Sequence, residues 1–209
     1  MITAGVLTFQ EFMSRERLPL AQIQDAVLQF LAGRDDVAVF GAQAVNAYVD
    51  EPRMTQDVDL LSTRAAELVK ELRDHLHKQF HIALRIRELE EGKGFRLYQV
   101  QKPKNRHLVD LRPVESLPET RRIAKILIVA PVELLAHKVI AYHQRKGKPK
   151  SGTDWRDLAM LLLAFPEQKQ EVGAVAERLK ALGADENILH VWKNIVAQDI
   201  KPADDEEDF

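Results

Sequence analysis

Asp57 and Asp59 stand two residues apart inside an apolar run, Arg53-Met54-Thr55-Gln56-Asp57-Val58-Asp59-Leu60-Leu61. Side chains alternate along an extended strand, so Asp57, Asp59 and Leu61 are expected on one face and Val58 and Leu60 on the other. Val58 and Leu60 can enter a core, which leaves two like charges projecting together from a rigid element. Their repulsion is ordinarily relieved by a divalent cation with oxygen ligands. A third carboxylate lies in His107-Leu108-Val109-Asp110-Leu111-Arg112. With Val109 and Leu111 turned to the core, Asp110 is expected on the opposite face together with Leu108 and Arg112. On a neighbouring strand it completes a three-carboxylate cluster, and such clusters hold Mg²⁺ ions, about 3.5–4 Å apart where there are two, in phosphoryl-transfer enzymes. Asp57, Asp59 and Asp110 are therefore the candidate metal ligands and catalytic acids.

The elements that must position them alternate early in the chain. Capping-box spacing at Thr8 and Glu11 introduces a short helix, and Pro19 suits the first turn of a second one reaching about Gly33. An apolar run at 37–40 closes on Gly41, residues 43–49 read as helix, and Asp50-Glu51-Pro52 break it. The aspartate strand follows, then a helix over about 64–79 whose apolar positions include Leu68, Val69, Leu72 and Leu76. From His81 the period becomes two, with Ile82, Leu84 and Ile86 alternating with polar residues, and a turn at 91–94 leads into a strand at 95–101. Strands are expected at 107–114 and 123–129, then helices at 131–145, 153–164, 167–182 and 185–198. Strands first and helices afterwards predict an α+β domain at 1–130, a mixed sheet flanked by helices. A C-terminal helical domain at 131–200 and an acidic, disordered tail at 201–209 complete the expectation.

Composition sets limits on function. At 209 residues with 45% hydrophobic content the chain can build a full core. Cysteine is absent, which removes disulfides, thiol nucleophiles and zinc-thiolate sites. No apolar run approaches the ~20 residues that cross a bilayer, and Met1 to Arg15 lacks a basic region followed by an apolar one, so a cytoplasmic protein without a membrane partner is expected. The net charge of -2 hides an asymmetry: residues 204–208 are all acidic. Without those five acids, the remaining 27 Asp and Glu face 30 Lys and Arg, a charge of +3 on the body. The seven histidines lack zinc-site spacing and read as surface or core residues. Trp155 and Trp192 read as packing anchors of the helical half.

Two ordered blocks carry a family resemblance. The first is Val39-Phe40-Gly41-Ala42, then Ala44, Val45, Ala47 and Tyr48, then Arg53, Thr55, Asp57, Asp59, Leu60 and Leu61. The second is Pro131, Leu134, Leu135, Lys138, Ala141, Arg145, Lys150, Asp154, Asp157 and Leu158. Together, over about 37–165, they resemble the nucleotidyltransferase superfamily, specifically the AbiEii-toxin type. In that superfamily a strand ends in Gly-Ser or Gly-Gly, a short helix follows, and the next strand carries Asp-x-Asp. Ala42 stands where many members have Ser or Gly, which removes one hydroxyl contact to a phosphate.

The resemblance implies that Asp57 and Asp59 bind Mg²⁺ and that Asp110 is the third ligand or the general base for an acceptor hydroxyl. It implies nucleotide contacts at Gly41, Ala42, Arg53 and Thr55, and from the helical half at Lys138, Arg145 and Lys150. The chemistry is compatible with these roles. Gly41 has no side chain to hold a triphosphate away, and the helix that follows favours anions at its amino end. Lys138 and Arg145, seven residues apart, share a helix face, although a solvated basic stripe explains them equally well. Lys138 and Asp154 are further candidate catalytic residues, Asp154 as an active-site contact, while Asp157 is better explained as a structural acid at a helix start. The loop Arg145-Lys146-Gly147-Lys148-Pro149-Lys150 could grip a triphosphate or polynucleotide, or be a solvated turn.

The expected function is Mg²⁺-dependent transfer of a nucleoside monophosphate from an NTP to an acceptor hydroxyl. The resemblance extends this to an RNA end such as tRNA as acceptor, and to a toxin with an antitoxin protein as partner. A small-molecule nucleotidyltransferase of the aminoglycoside-modifying kind would share the carboxylates. A catalytically idle scaffold with the same fold is the third possibility, motivated by Ala42.

Overall fold

The computed structural model describes residues 18–202. The expected Thr8–Glu11 cap and first helix, and the tail expected at 201–209 beyond residue 202, lie outside the described residues. Helix α1 is Leu20–Leu31, strand β1 Val37–Phe40, helix α2 Gly41–Asn46, strand β2 Val58–Ser62 and helix α3 Ala65–Phe80. Strands β3 (Leu84–Glu88), β4 (Phe95–Gln99), β5 (Arg106–Pro113), β6 (Thr120–Ile123) and β7 (Ile126–Val129) follow. Helices α4 (Pro131–Gln144), α5 (Lys150–Ala164), α6 (Ala174–Ala181) and α7 (Glu186–Val196) end the described chain. The described residues divide into two compact units, one comprising 18–47 and Arg53–Val129, the other Tyr48–Pro52 and 130–202.

The first unit is built on a seven-stranded mixed sheet in the order β3-β4-β5-β2-β1-β7-β6. The β1–β7 and β2–β5 pairs are parallel and the others antiparallel. An α+β fold with a mixed sheet is what the pattern predicted. Helix α3 packs across β2 to β5, and α1 packs against α3 and β5. The apolar stripe Leu68, Val69, Leu72 and Leu76 of α3 is buried, as are Val58, Leu60, Leu97, Val109 and Leu111 of the sheet. This face is the core of the unit, and its burial is the dominant stabilising term. At one end of α3, Arg34 and Arg64 each pair with both Asp36 and Glu71, tying the helix to the chain that enters β1.

Three element boundaries differ from the expected ones for physical reasons. The strand placed from His81 begins at Leu84, because His81 takes a left-handed conformation (φ 54°) at the end of α3 and His77 Nδ1 holds the carbonyl of Ile82 at 2.8 Å. The single strand expected at 123–129 is a hairpin whose turn residues, Ala124 and Lys125, both have positive φ (47° and 69°). Neither is the Gly or Asn that normally marks such a turn. The helix expected from 167 starts at Ala174, after a short 3₁₀ turn at Pro166–Gln168.

In the second unit α4 packs against α5, α6 and α7. Trp192 is buried and donates Nε1–H to the carbonyl of Gln170 at 3.1 Å, which accounts for its packing role. Tyr48 meets Phe165 edge-on at 5.6 Å, and Arg156 donates to the carbonyl of Glu51 at 2.9 Å, so the 48–52 segment belongs with these helices.

Candidate functional site: a carboxylate cluster bridged by a histidine

The parallel pairing of β2 with β5 sets Asp59 directly beside Asp110, with Phe40 of β1 in register on the other side of Asp59. In-register neighbours project from the same face of a sheet, so Asp59 and Asp110 share the face opposite Val58, Leu60 and Leu111. Asp57, two residues before Asp59, joins them. His107 Nδ1 lies 3.0 Å from Asp57 Oδ2 and its Nε2 lies 3.1 Å from Asp110 Oδ1. Arg96, in register with Asp110 on β4, adds a bond from Nε to the same Oδ1 at 2.8 Å.

Sequence reasoning missed His107, and the reason is a β-bulge. In a regular strand residues 107 and 110 face opposite ways. The β4–β5 register shifts between Leu97 and Tyr98: Val109 pairs with Leu97 but His107 pairs with Tyr98, which leaves Leu108 as an extra residue. The bulge corrects the expectation that Leu108 shares the face of Asp110. Leu108 and Val109 are both buried, and His107 returns to the acidic face. The available signal was the apolar pair Leu108-Val109 in an otherwise alternating strand. Tyr98 stacks on the displaced imidazole with ring centroids 5.0 Å apart.

The electrostatics follow from these contacts. Burial works against a charged imidazole, but hydrogen bonds and charge from Asp110 and Asp57 outweigh it and raise His107 from 6.5 to about 10. At neutral pH both ring nitrogens therefore carry protons and donate, one to each carboxylate. For Asp110 burial alone acts upward, and His107 and Arg96 together hold the carboxyl below its ordinary 3.8. The expected mutual repulsion of the acids is thus relieved inside the protein by an imidazolium and a guanidinium.

Asp59 is held differently. Gly41 has φ +66°, and a Cβ built there would fall 2.1 Å from Asp59 Oδ2. The carboxylate of Asp59 therefore occupies the space that a side chain at 41 would need. Ala42 lies in the first turn of α2. Arg53 and Thr55 sit in the connection to β2, which is fixed at both points. Asn46 Oδ1 accepts from Arg53 N–H at 3.0 Å while its Nδ2 donates to Arg53 O at 2.7 Å, and Gln24 Nε2 donates to Thr55 O at 3.0 Å.

The remaining candidates lie in the helical unit and engage one another. Asp154 and Asp157, on successive turns of α5, are buried (2% and 0% exposed). Lys138 Nζ reaches Asp157 Oδ2 at 2.5 Å and Asp154 Oδ1 at 3.5 Å, and Arg145 NH1 reaches Asp154 Oδ2 at 2.7 Å. Buried carboxyl groups need such partners, because a buried charge without one costs several kcal/mol. Lys138 and Arg145 thus have a structural task inside the unit. Lys150 is exposed in the first turn of α5, where its carbonyl accepts from Thr153 Oγ1.

Asp57, His107 and Asp110 offer ligand atoms within 4.8 Å of one another, an arrangement able to hold a metal ion. The carboxylate oxygens, with Asp59 alongside, suit a hard cation such as Mg²⁺. His107, raised to about 10, bridges Asp57 and Asp110 as their counter-charge.

The fold is that of nucleotidyltransferases. The Megavirus polyadenylate synthase superposes with a TM-score of 0.58 at 14% identity, over 79% of this chain and 38% of that one. A protein of H. pylori assigned as a nucleotidyltransferase gives 0.60 at 15% identity, covering 92% and 85% of the two chains. JHP933 from Helicobacter pylori gives 0.54 at 12%, over 91% and 92%. The chain thus spans well under half of the viral enzyme and most of the two bacterial proteins. No curated protein sequence matches. Residues 25–208 match the family of the nucleotidyl transferase AbiEii toxin of type IV toxin–antitoxin systems, and the chain belongs to that family. Nucleotidyl transfer is accordingly its class of chemistry. No helix among the described residues is long and apolar enough to cross a membrane.

Two expectations follow from the geometry. Gly33 also has positive φ (+80°), but the space a Cβ would enter there is empty to 4 Å, so Gly33→Ala reports left-handed strain alone, about 1–2 kcal/mol. Gly41→Ala adds the collision with Asp59 and should lower Tm clearly further; equal losses in thermal unfolding would contradict the contact. The second concerns pH. A group raised from 6.5 to about 10 stabilises the fold fully below 6.5 and loses that contribution as pH rises through 10. The lowered Asp110 contributes above its unfolded value and loses its contribution as pH falls. The stability gap between the parent and His107→Gln in urea unfolding should therefore be widest between about 4 and 6.5 and close towards pH 10. A gap that persists unchanged at high pH would contradict the imidazolium bridge.

Proposed function

We propose that the protein transfers a nucleoside monophosphate from an NTP to the terminal hydroxyl of an RNA, and acts as the toxin of a pair with an antitoxin protein. In-register placement of Asp59 and Asp110, with Asp57 joined to Asp110 through His107, is the observation that carries the reading. Asp57, Asp59 and Asp110 would hold Mg²⁺, which when bound neutralises charge on the triphosphate and favours in-line displacement. The acceptor hydroxyl gives its proton to solvent water as its oxygen forms a bond to the α-phosphorus, the bond from that phosphorus to the bridging oxygen breaks, and pyrophosphate leaves with the electron pair.

The acids are not equivalent. Asp110, held as an anion by His107 and Arg96, is a weak proton acceptor and suits a ligand role better than that of general base. Asp59 is seated against Gly41, in the space a Cβ there would need. Gly41, Ala42, Arg53 and Thr55 form the proposed nucleotide-binding segment of the sheet unit, made rigid by Asn46 and Gln24. Lys138, Arg145 and Lys150 are proposed nucleotide contacts and Asp154 a proposed catalytic contact. The network in α4 and α5 then serves to orient Lys138 and Arg145. A domain boundary near residue 130 and a cytoplasmic setting complete the proposal.

Differential scanning fluorimetry with Mg²⁺ and each of the four NTPs tests this. A ligand that binds only the native state raises Tm by an amount set by its concentration relative to Kd. The parent should respond to at least one Mg²⁺–NTP pair, and Asp57→Asn should lose the response. The sequence alone suggests that this variant leaves the ligand-free fold intact or more stable. The bridge reverses that expectation, since His107 loses a charged partner, and baseline Tm should fall modestly. A parent that responds to no nucleotide would support the idle scaffold.

A further inference from the structure

The carboxylate cluster forms the inner end of two rows of side chains that run across one sheet face to its edge. In the first row the register passes from Asp59 to Asp110, from Asp110 to Arg96 and from Arg96 to Arg87. In the second, His107 pairs with Tyr98 and Tyr98 with Arg85. The alternate positions Ile86, Leu97 and Val109 form their own row on the opposite face, the face α3 covers. Arg85 and Arg87 on edge strand β3 are exposed, while Arg96 and Tyr98 are half-buried. Charge along this face therefore changes from negative at β2 and β5 to positive at β3, with an aromatic ring between.

We infer that Arg85, Arg87 and Tyr98 form a shelf that binds the backbone of a single-stranded polynucleotide and directs its terminal hydroxyl towards the carboxylates. The inference rests on the nucleotidyl-transfer reading and adds to it where the acceptor lies. Alternate residues on a strand are about 6.8 Å apart, so the two guanidinium groups present charge along a line, which suits a repeating anion. Single strands are held by the same combination of a basic track and aromatic faces on which bases stack. Charge also separates this acceptor from the small-molecule one, because an aminoglycoside is a polycation and the shelf repels it. An exposed edge strand lined with arginine further resists pairing with another sheet.

The experiment is fluorescence anisotropy of a short, unstructured RNA oligonucleotide with the full chain, titrated with salt. The variants are Arg85→Ala with Arg87→Ala, the charge-keeping Arg85→Lys with Arg87→Lys, and Lys70→Ala with Lys78→Ala on α3 as a charge-matched control. Each phosphate contact to a single strand contributes about 0.7 to the slope of log K against log salt, so the alanine pair should flatten the slope by about 1.4 and weaken binding several-fold. The lysine pair should keep most of the slope, and the α3 control should leave the shelf's contribution intact. Fluorimetry with Mg²⁺–NTP on the same proteins should give the parental response. An unchanged slope in the alanine pair, or an equal change in the α3 control, overturns the inference. So does retained RNA binding with a lost Mg²⁺–NTP response, which would assign the arginines to the nucleotide. A parent that binds RNA with this signature but ignores every NTP refutes the transfer reading and leaves the shelf standing.

Discussion

Holding carboxylates side by side on adjacent strands without losing the sheet is the constraint on which this structure depends. Asp59 and Asp110 are register neighbours, and Asp57 lies close enough for one imidazole to reach both it and Asp110. The protein meets the repulsion with His107 and Arg96. Charge-assisted hydrogen bonds in a partly buried setting are among the stronger polar contacts available, and here they also fix the orientation of two of the three acids. The bonds from His107 and Arg96 hold Asp110 below its ordinary value, in the ionised state that binds cations.

Much of the surrounding local structure serves that arrangement. The β5 bulge returns His107 to the acidic face while keeping both Leu108 and Val109 in the core, so the charge bridge and the packing are both served by one extra residue. Gly41, the first residue of α2, is left-handed, and the carboxylate of Asp59 occupies the space a Cβ there would fill. The familiar account of a glycine at this position is close approach of a phosphate. In this molecule the glycine is already required by its neighbouring acid. Ala42 makes a different point: the bonds that join Asp57, His107, Asp110 and Arg96 are all made by residues of other elements, so the missing hydroxyl leaves them intact.

The sequence made the acids legible because period-two alternation around Asp57 and Asp59 survives in the fold, and the α+β class followed from strands preceding helices. What escaped it depended on departures from regular alternation. Leu108-Val109 reads as a strand core until the bulge is seen, and with it goes His107, which spacing rules for zinc sites could not detect. The β6–β7 turn was invisible because Ala124 and Lys125 adopt positive φ without the usual residues. Lys138 lies on α4 and Arg145 caps its end, one residue past the helix, and only tertiary structure shows that Asp154 and Asp157 are buried beside them. Charge rows such as Asp59-Asp110-Arg96-Arg87 join four strands and have no signature in any one of them.

The most direct measurement is the fate of isotopic label in a transfer reaction with Mg²⁺ and a pool of unstructured and tRNA-like acceptors, each NTP being labelled in turn at the α- or the γ-phosphate. The account predicts that α-label moves to an RNA acceptor while γ-label leaves as pyrophosphate, and that Asp59→Asn and Asp110→Asn abolish the transfer. Movement of the γ-label to the acceptor, or α-transfer that survives loss of either acid, would contradict it.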